Sequence, residues 1–119
     1  MTAILKDSQD DYILVHVSGW ITKTELDAIN QQVAKIMETE TAIRMLIHLV
    51  DFKGWVKGDD WGDTTHLAAF GNRIPKMAIV GKEQWKEDSL LFMGAGYRST
   101  EIQYFIPENE SSALLWLLE

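Results

Sequence analysis

The sequence predicts a single α/β domain built on a mixed, mainly parallel sheet of about five strands packed with about four helices. Two observations lead to this class. The chain has 119 residues, of which 46% are hydrophobic and only 2 are proline, which is typical of one globular domain. Short apolar runs also alternate with segments of helical periodicity, which gives the order β-β-α-β-α-β-α-β-α without an internal repeat or linker. One domain therefore spans residues 1–119.

The first two strands are expected to pair as an antiparallel hairpin at the edge of the sheet. Residues 3–5 and 12–18 are apolar runs, and the polar residues 7–11 between them favour a turn. Gly19 is expected to end the second strand.

The first helix has the clearest start signal in the sequence. Thr22 and Glu25 have the spacing of a capping box, in which the hydroxyl and the carboxylate satisfy free backbone N–H groups. Apolar residues then recur at helical intervals, whereas the positions between them are polar. The apolar set consists of Leu26, Ile29, Val33 and Ile36.

The middle of the chain predicts the central strand and the second helix. Residues 43–50 are almost continuously apolar, which is typical of a strand covered on both faces. Residues 51–58, which are rich in Asp, Gly and Trp, predict a loop, and a helix is expected from about residue 58 to residue 70. Carboxylates at a helix start favour the positive end of its dipole. The first turn of this helix carries Asp59, Asp60 and Asp63.

The last third of the chain predicts two strands, each followed by a helix. The strands cover residues 76–81 and 102–106, and the helices cover residues 83–93 and 108–118. The buried faces of these helices are formed by Trp85, Ser89 and Phe92 in the first and by Ala113, Trp116 and Leu117 in the second.

Charge and composition exclude several classes of function. The chain has 11 basic and 18 acidic residues, and its net charge of -7 disfavours nucleic acid and anionic lipid surfaces. No stretch approaches the roughly 20 apolar residues of a membrane span, and residues 1–6 lack the pattern of an export signal. Because the chain has no cysteine, thiol chemistry is excluded. We expect a cytoplasmic protein without a cofactor.

Several short strings, in order along nearly the whole chain, resemble one family. They are residues 17–19, residues 51–55, Trp61 with Asp63, residues 77–81 with Trp85, and residues 113–117. Together they are similar to the SpoIIAA-like proteins, small bacterial proteins related in fold to the STAS domains of anti-sigma-factor antagonists. The resemblance implies a small sheet packed with helices, grouped with STAS and with the CRAL-TRIO lipid-binding domains. Kinship of fold does not define an activity.

Regulatory STAS domains accept a phosphate on a serine at the start of the helix after the central strand. The corresponding residues 51–63 contain no serine here, and the nearest hydroxyl groups belong to Thr64 and Thr65. The three aspartates that precede them would repel an added phosphate. We therefore do not expect this phosphorylation switch.

The segment 51–63 carries the candidate binding site, because open α/β sheets place ligands beyond the carboxyl ends of their strands. Its two tryptophans suit a pocket wall or an interface anchor, and they equally suit a cap over the core. The candidate ligand- or partner-binding residues are Asp51, Phe52, Trp55, Lys57, Asp59, Asp60 and Trp61.

An acidic cluster in this part of the chain offers an alternative site for a hard divalent cation. Residues three or four positions apart on a helix lie side by side, which would bring these side chains together. The helix dipole alone also accounts for the aspartates, and we predict no metal. The cluster comprises Asp51, Asp59, Asp60, Asp63 and His66.

Three functions stay open. The first is a non-enzymatic binding or regulatory module that uses segment 51–63 to bind a protein partner, its own copy as a homodimer, or a small ligand. The second is a carrier of a small apolar ligand, as the CRAL-TRIO resemblance implies. The third is a metal-assisted enzyme that uses the aspartates and His66. We favour the first, because no catalytic motif accompanies the strand histidines His16 and His48.

Overall fold

The computed structural model describes residues 3–8, 12–38, 44–58, 74–93 and 100–119. These residues form five strands and three α-helices, and residues 59–70 of the second predicted helix lie outside them. Single turns of 3₁₀ helix at Glu83–Trp85 and Pro107–Asn109 lead into the last two helices. The elements are β1 (Ala3–Ser8), β2 (Tyr12–Ile21), α1 (Lys23–Met37), β3 (Arg44–Trp55), β4 (Lys76–Val80), α2 (Lys86–Phe92), β5 (Glu101–Phe105) and α3 (Glu110–Leu118).

The five strands lie in the order of the chain, β1-β2-β3-β4-β5. The strand β1 pairs antiparallel with β2, and the other neighbours pair in parallel, which confirms the predicted mixed sheet and its hairpin. The strand β3 lies in the middle of the sheet, as its continuous apolar run predicts. Within the described residues, no helix is both long enough and apolar enough to cross a membrane.

The two faces of the sheet are covered differently. Right-handed crossovers between sequential parallel strands bring the connecting helices to one face, here called the front face, where Ile29 and Val33 of α1 pack. The helix α3 follows the last strand and packs on the opposite face, here called the back face, through Ala113 and Leu117. Each face therefore has its own apolar core, with Ile79 in the front core.

The predicted capping box starts α1. The backbone N–H of Glu25 donates to Oγ1 of Thr22 at 3.1 Å, and the same hydroxyl donates to Oε1 of Glu25 at 3.0 Å. The Thr22 backbone is extended, as a residue preceding a helix requires.

The loop predicted over residues 51–58 was wrong for residues 51–55, because β3 continues to Trp55 and β2 continues through Gly19 to Ile21. The pairing passes from Val17 and Leu49 to Gly19 and Phe52, and then to Trp20 and Gly54, so that β3 gains one extra residue at each step. These two bulges break the alternation of period two, which is why the sequence resembles a loop. Positive φ angles support the bulges, at Gly19 (64°), Asp51 (51°) and Gly54 (120°).

Candidate functional site

An open cleft of about 230 Å³ lies where the pairing of β3 with β4 ends, at His48 and Val80, on the carboxyl edge of the parallel sheet. This edge is where open α/β sheets usually bind ligands. The cleft combines apolar walls with three polar side chains. The described residues that line it are His48, Leu49, Val50, Asp51, Phe52, Lys82, Trp85 and Pro107.

Asp51 enters this cleft from the first bulge of β3. Its backbone is left-handed, with φ of 51°, and its side chain is exposed. Aspartate is one of the few residues other than glycine that adopt this conformation readily. Because a bulge changes the direction of the side chains that follow, Phe52 turns into the front core and is only 8% exposed.

An aromatic cluster, formed by Phe52, Trp55, Trp85 and Phe92, joins the end of β3 to α2. The ring centroid of Phe52 lies 5.1 Å from that of Trp55 and 4.9 Å from that of Trp85, and both ring pairs are edge-to-face. The ring centroid of Trp55 also lies 5.4 Å from that of Phe92. Edge-to-face pairs add about 0.5–1.5 kcal/mol beyond burial of area. The rings of Phe52 and Trp55 therefore hold the bulged end of β3 in place, and Trp85 forms a wall of the cleft.

The polypeptide after β4 brings Lys82 to the cleft. The backbone N–H of Gly81 donates to the carbonyl of Phe105 at 3.0 Å, and the Tyr104 hydroxyl donates to the carbonyl of Lys82 at 2.6 Å. A Cβ at Gly81 would lie 2.6 Å from the Tyr104 hydroxyl oxygen and 2.8 Å from Cδ1 of Leu49. Only glycine permits this close approach, which fixes the backbone of Lys82 while its side chain stays exposed.

Tyr104 is held in its neutral form at this edge. Partial burial and, to a smaller extent, the nearby Glu83 carboxylate together raise the pKa of its phenol to about 12. The neutral hydroxyl is the form that donates to the Lys82 carbonyl.

His48 reaches the cleft from the back face. Its Nδ1 lies 3.5 Å from Oε1 of Glu110, the first residue of α3. Its direct neighbour in the pairing of β2 with β3 is His16, and the two rings are 6.0 Å apart, edge-to-face. The sequence places both histidines in strands, and the register brings them together.

The structure brings only part of the predicted site together. Asp51 and Phe52 line the cleft, Trp55 packs in the aromatic cluster behind it, and Lys57 is exposed in the turn beyond β3. Three further predicted residues, Asp59, Asp60 and Trp61, lie outside the described residues.

Sequence reasoning missed Lys82 and His48 as cleft residues. Lys82 carries a usable signal, because it follows the end of a parallel strand, the same place that drew attention to Asp51. His48 carries no such sequence signal, because its position beside the cleft depends on the register between β3 and its neighbouring strands.

The proposed metal cluster is not assembled in the part of the chain that the structure describes. Among those residues, no three His, Asp or Glu side chains are arranged to hold a metal ion. Four members of the predicted cluster, Asp59, Asp60, Asp63 and His66, lie outside that part.

A second, apolar cavity of about 90 Å³ lies between the front face and the helices α1 and α2. Asn30 and Ser89 are its polar lining residues among those described. The apolar lining residues are Val15, Val17, Ile21, Leu26, Ile29, Met45, Ile47, Leu49, Phe52, Trp55, Ile79, Phe92 and Met93.

A sequential five-stranded sheet with one antiparallel edge strand and a cleft at its carboxyl edge defines the class of the protein as a small α/β domain. The SpoIIAA-like family matches residues 12–118, and the chain belongs to this family. A crystal structure of an uncharacterized protein with a SpoIIAA-like fold from Shewanella loihica PV-4 is similar, with a TM-score of 0.72 and 21% identity. The match covers 97% of this chain and 91% of the other. No curated protein matches the chain.

Proposed function

We propose that this protein is a non-enzymatic binding module whose ligand site is the cleft at the carboxyl edge. The observation that carries the proposal is the convergence of Asp51 and Lys82 on one cleft, since Asp51 comes from a bulge within β3 and Lys82 follows the end of β4. The left-handed backbone of Asp51 adds support, because residues in uncommon conformations concentrate at functional sites.

The chemistry of the cleft favours a small molecule that carries both charges and a flat apolar part. Asp51 and Lys82, which carry a carboxylate and an ammonium group, line the cleft together with the rings of Phe52 and Trp85. Ligand sites commonly combine apolar walls with a few polar groups that fix orientation. The volume of about 230 Å³ suits a compound smaller than most drugs, or one side chain of a partner protein.

The contacts of His48 favour binding over hydrolysis. A histidine oriented by a carboxylate is two thirds of a catalytic triad, and Glu110 supplies that carboxylate at 3.5 Å. Within the described residues, however, the ion pair and the ring contact of His48 are with Glu110 and His16, and neither supplies the hydroxyl or thiol nucleophile of such a triad.

Native mass spectrometry of the protein isolated from its host tests this proposal. We expect a small-molecule adduct that is lost in Asp51→Gly and in Lys82→Ala. Glycine tolerates the left-handed backbone at position 51, so this variant removes the carboxylate and keeps the bulge. Lys86→Ala, an exposed lysine of α2 that does not line the cleft, is the matched control. An adduct that persists in both cleft variants would contradict the proposal, and a bound protein instead of a small molecule would contradict the ligand class.

The apolar cavity supports a second candidate function, a carrier of a small apolar ligand. Its volume of about 90 Å³ is smaller than the about 150 Å³ cavity that binds benzene in an engineered protein, so a full lipid chain does not fit. Xenon titration observed by nuclear magnetic resonance tests this role, with Ile29→Phe as the variant that fills the cavity. Shifts at lining residues that vanish in the variant would support a carrier, and shifts elsewhere would contradict it.

We also propose that the protein self-associates as a homodimer in the cytoplasm. Two-fold dimers are the commonest oligomers, and an exposed apolar surface supports association. The absence of cysteine fits a reducing compartment.

A further inference from the structure

We infer that the cleft and the apolar cavity are two parts of one binding site, with the ring of Phe52 as a movable partition between them. The ligand carries a zwitterionic head group, which binds in the cleft, and a short alkyl chain, which passes Phe52 into the cavity. This inference rests on the ligand site proposed above for the cleft and names the class of its ligand.

Two residues line both spaces. Leu49 and Phe52 belong to the lining of the cleft of about 230 Å³ and also to that of the cavity of about 90 Å³. The ring of Phe52 also contacts one tryptophan from each lining. Its centroid lies 4.9 Å from that of Trp85, which lines the cleft, and 5.1 Å from that of Trp55, which lines the cavity. Phe52 therefore lies between the two spaces.

The part of β3 that carries Phe52 is paired on one side. The pairing of β3 with β4 ends at His48, so within the described residues the rest of β3 pairs with β2 alone. Phe52 itself lies between the two bulges, where it pairs with Gly19. Segments with few backbone hydrogen bonds open at a low cost in free energy. Because there is space on both sides of the Phe52 ring, the ring can turn aside while the sheet stays paired.

The two linings differ in the way that an amphipathic ligand requires. Asp51 and Lys82 in the cleft match the ammonium and carboxylate groups of a zwitterion. The described lining of the cavity is apolar apart from Asn30 and Ser89. Burial of methylene groups in such a lining is favourable, whereas burial of an unpaired charge is not. The head group therefore stays in the cleft, and the small volume of the cavity limits the chain to a short one.

Calorimetric titration with two α-amino acids tests the joint site. The probes α-aminobutyrate and α-aminooctanoate share the zwitterionic head group and differ in the length of their alkyl chains. We expect the longer compound to bind roughly a hundredfold more tightly, since each buried methylene group contributes about fourfold. Ile29→Phe, which fills the cavity, should remove this advantage. Lys82→Ala should weaken the binding of α-aminooctanoate, and the control Lys86→Ala, an exposed lysine outside the cleft, should not.

Nuclear magnetic resonance of labelled methionine methyl groups shows where the chain of the ligand lies. Met45 and Met93 line the cavity, whereas Met77 is buried in the same front core outside that lining. We expect α-aminooctanoate to shift the methyl signals of Met45 and Met93 and to leave that of Met77 unchanged. The short α-aminobutyrate should shift none of the three.

Stopped-flow fluorescence tests the role of Phe52 as the partition. Association is slowed when binding requires a conformational change, so removal of the ring should speed it. We expect the association rate constant of α-aminooctanoate to rise at least about tenfold in Phe52→Ala. Phe92→Ala is the matched control, because Phe92 belongs to the same aromatic cluster and lines the cavity without lining the cleft. Equal rate constants in the two variants would overturn the partition, and the methyl titration of the wild type does not depend on either variant folding.

The outcomes separate this inference from the cleft proposal. Binding of α-aminooctanoate that Lys82→Ala weakens, without shifts at Met45 and Met93, would overturn the joint site and leave the cleft in place. Shifts at both methionines with unchanged affinity in Lys82→Ala would overturn the cleft as the site of the head group. An absence of binding would overturn the ligand class, whereas the native mass spectrometry described above decides the cleft proposal by itself.

Discussion

The hydroxyl of Tyr104 donates a 2.6 Å hydrogen bond to the backbone carbonyl of Lys82. This bond ties the end of β5 to the segment that follows β4, and therefore holds one side of the cleft. The following predictions concern this contact and the parts of the core that support it.

The Tyr104 phenol makes the stability of the protein sensitive to alkaline pH. Its pKa is about 12 in the folded protein, mainly because of burial, against an ordinary value of 10.0. Between these values the folded state binds more protons than the unfolded state, so stability is complete below pH 10 and falls as the pH rises towards 12. Urea denaturation over this range should show a steeper fall for the wild type than for Tyr104→Phe. Equal slopes would show that Tyr104 does not contribute.

Gly81→Ala should destabilise the protein by about 1–3 kcal/mol, because the new methyl group overpacks a filled site. It would lie 2.6 Å from the Tyr104 hydroxyl and within 3.0 Å of two Leu49 carbons. Adding Tyr104→Phe should recover only part of this loss, since Leu49 stays in place. Gly58→Ala is the comparison, because a Cβ at position 58 would meet no atom within 4 Å. This variant should lose stability only through strain of the left-handed backbone. Thermal unfolding compares these three variants with the wild type, and full recovery in the double variant would contradict the role of Leu49.

Charges placed in the front core should prevent folding. Ile79 of β4 is 1% exposed and lies in the front core, so Ile79→Asp buries a carboxylate among apolar side chains. Ile47 of β3 is half-buried against the same cluster, and Ile47→Asp should be less severe while still strongly destabilising. Lys53→Asp, on an exposed position of β3, is the control. Native circular dichroism of either isoleucine variant would contradict the burial of the front face of the sheet.

Trp55→Ala should cost about 3–5 kcal/mol, because it removes a ring that packs on three other aromatic rings. The sequence alone predicts a smaller loss than for Trp116→Ala, since it places Trp55 on a binding surface and Trp116 in the core. In the structure, Trp116 packs on Phe105 at 6.0 Å between ring centres. Chemical denaturation compares the two variants. A loss below about 1 kcal/mol for Trp55→Ala would favour the binding surface over the packing role.

The periodic parts of the fold follow directly from the sequence. The capping pair Thr22 and Glu25, the helical spacing of α1 and the apolar run of β3 all lead to the observed elements. These signals are local, since each depends on residues a few positions apart. The helices after β4 and β5 were also predicted, although each begins with a turn of 3₁₀ helix before the α-helix.

The bulges and the cleft were not predictable in the same way. Each bulge adds one residue to β3, so the alternation changes face and no fixed period describes residues 51–55. The approach of His48 to His16, and that of Lys82 to Asp51, depend on pairing between distant segments. Only the general preference of ligands for strand ends pointed to Asp51, and it applies equally to Lys82.

The first bulge of β3 separates the chemistry of the cleft from the folding of the domain. The backbone at position 51 requires only a residue that adopts a φ of 51° readily. Asparagine and glycine adopt this conformation as well as aspartate does. The charge at the cleft can therefore change from negative to neutral by a single substitution while the sheet stays intact. This position is a natural starting point for redesigning what the domain recognises, and for the divergence of specificity among proteins built on the same sheet.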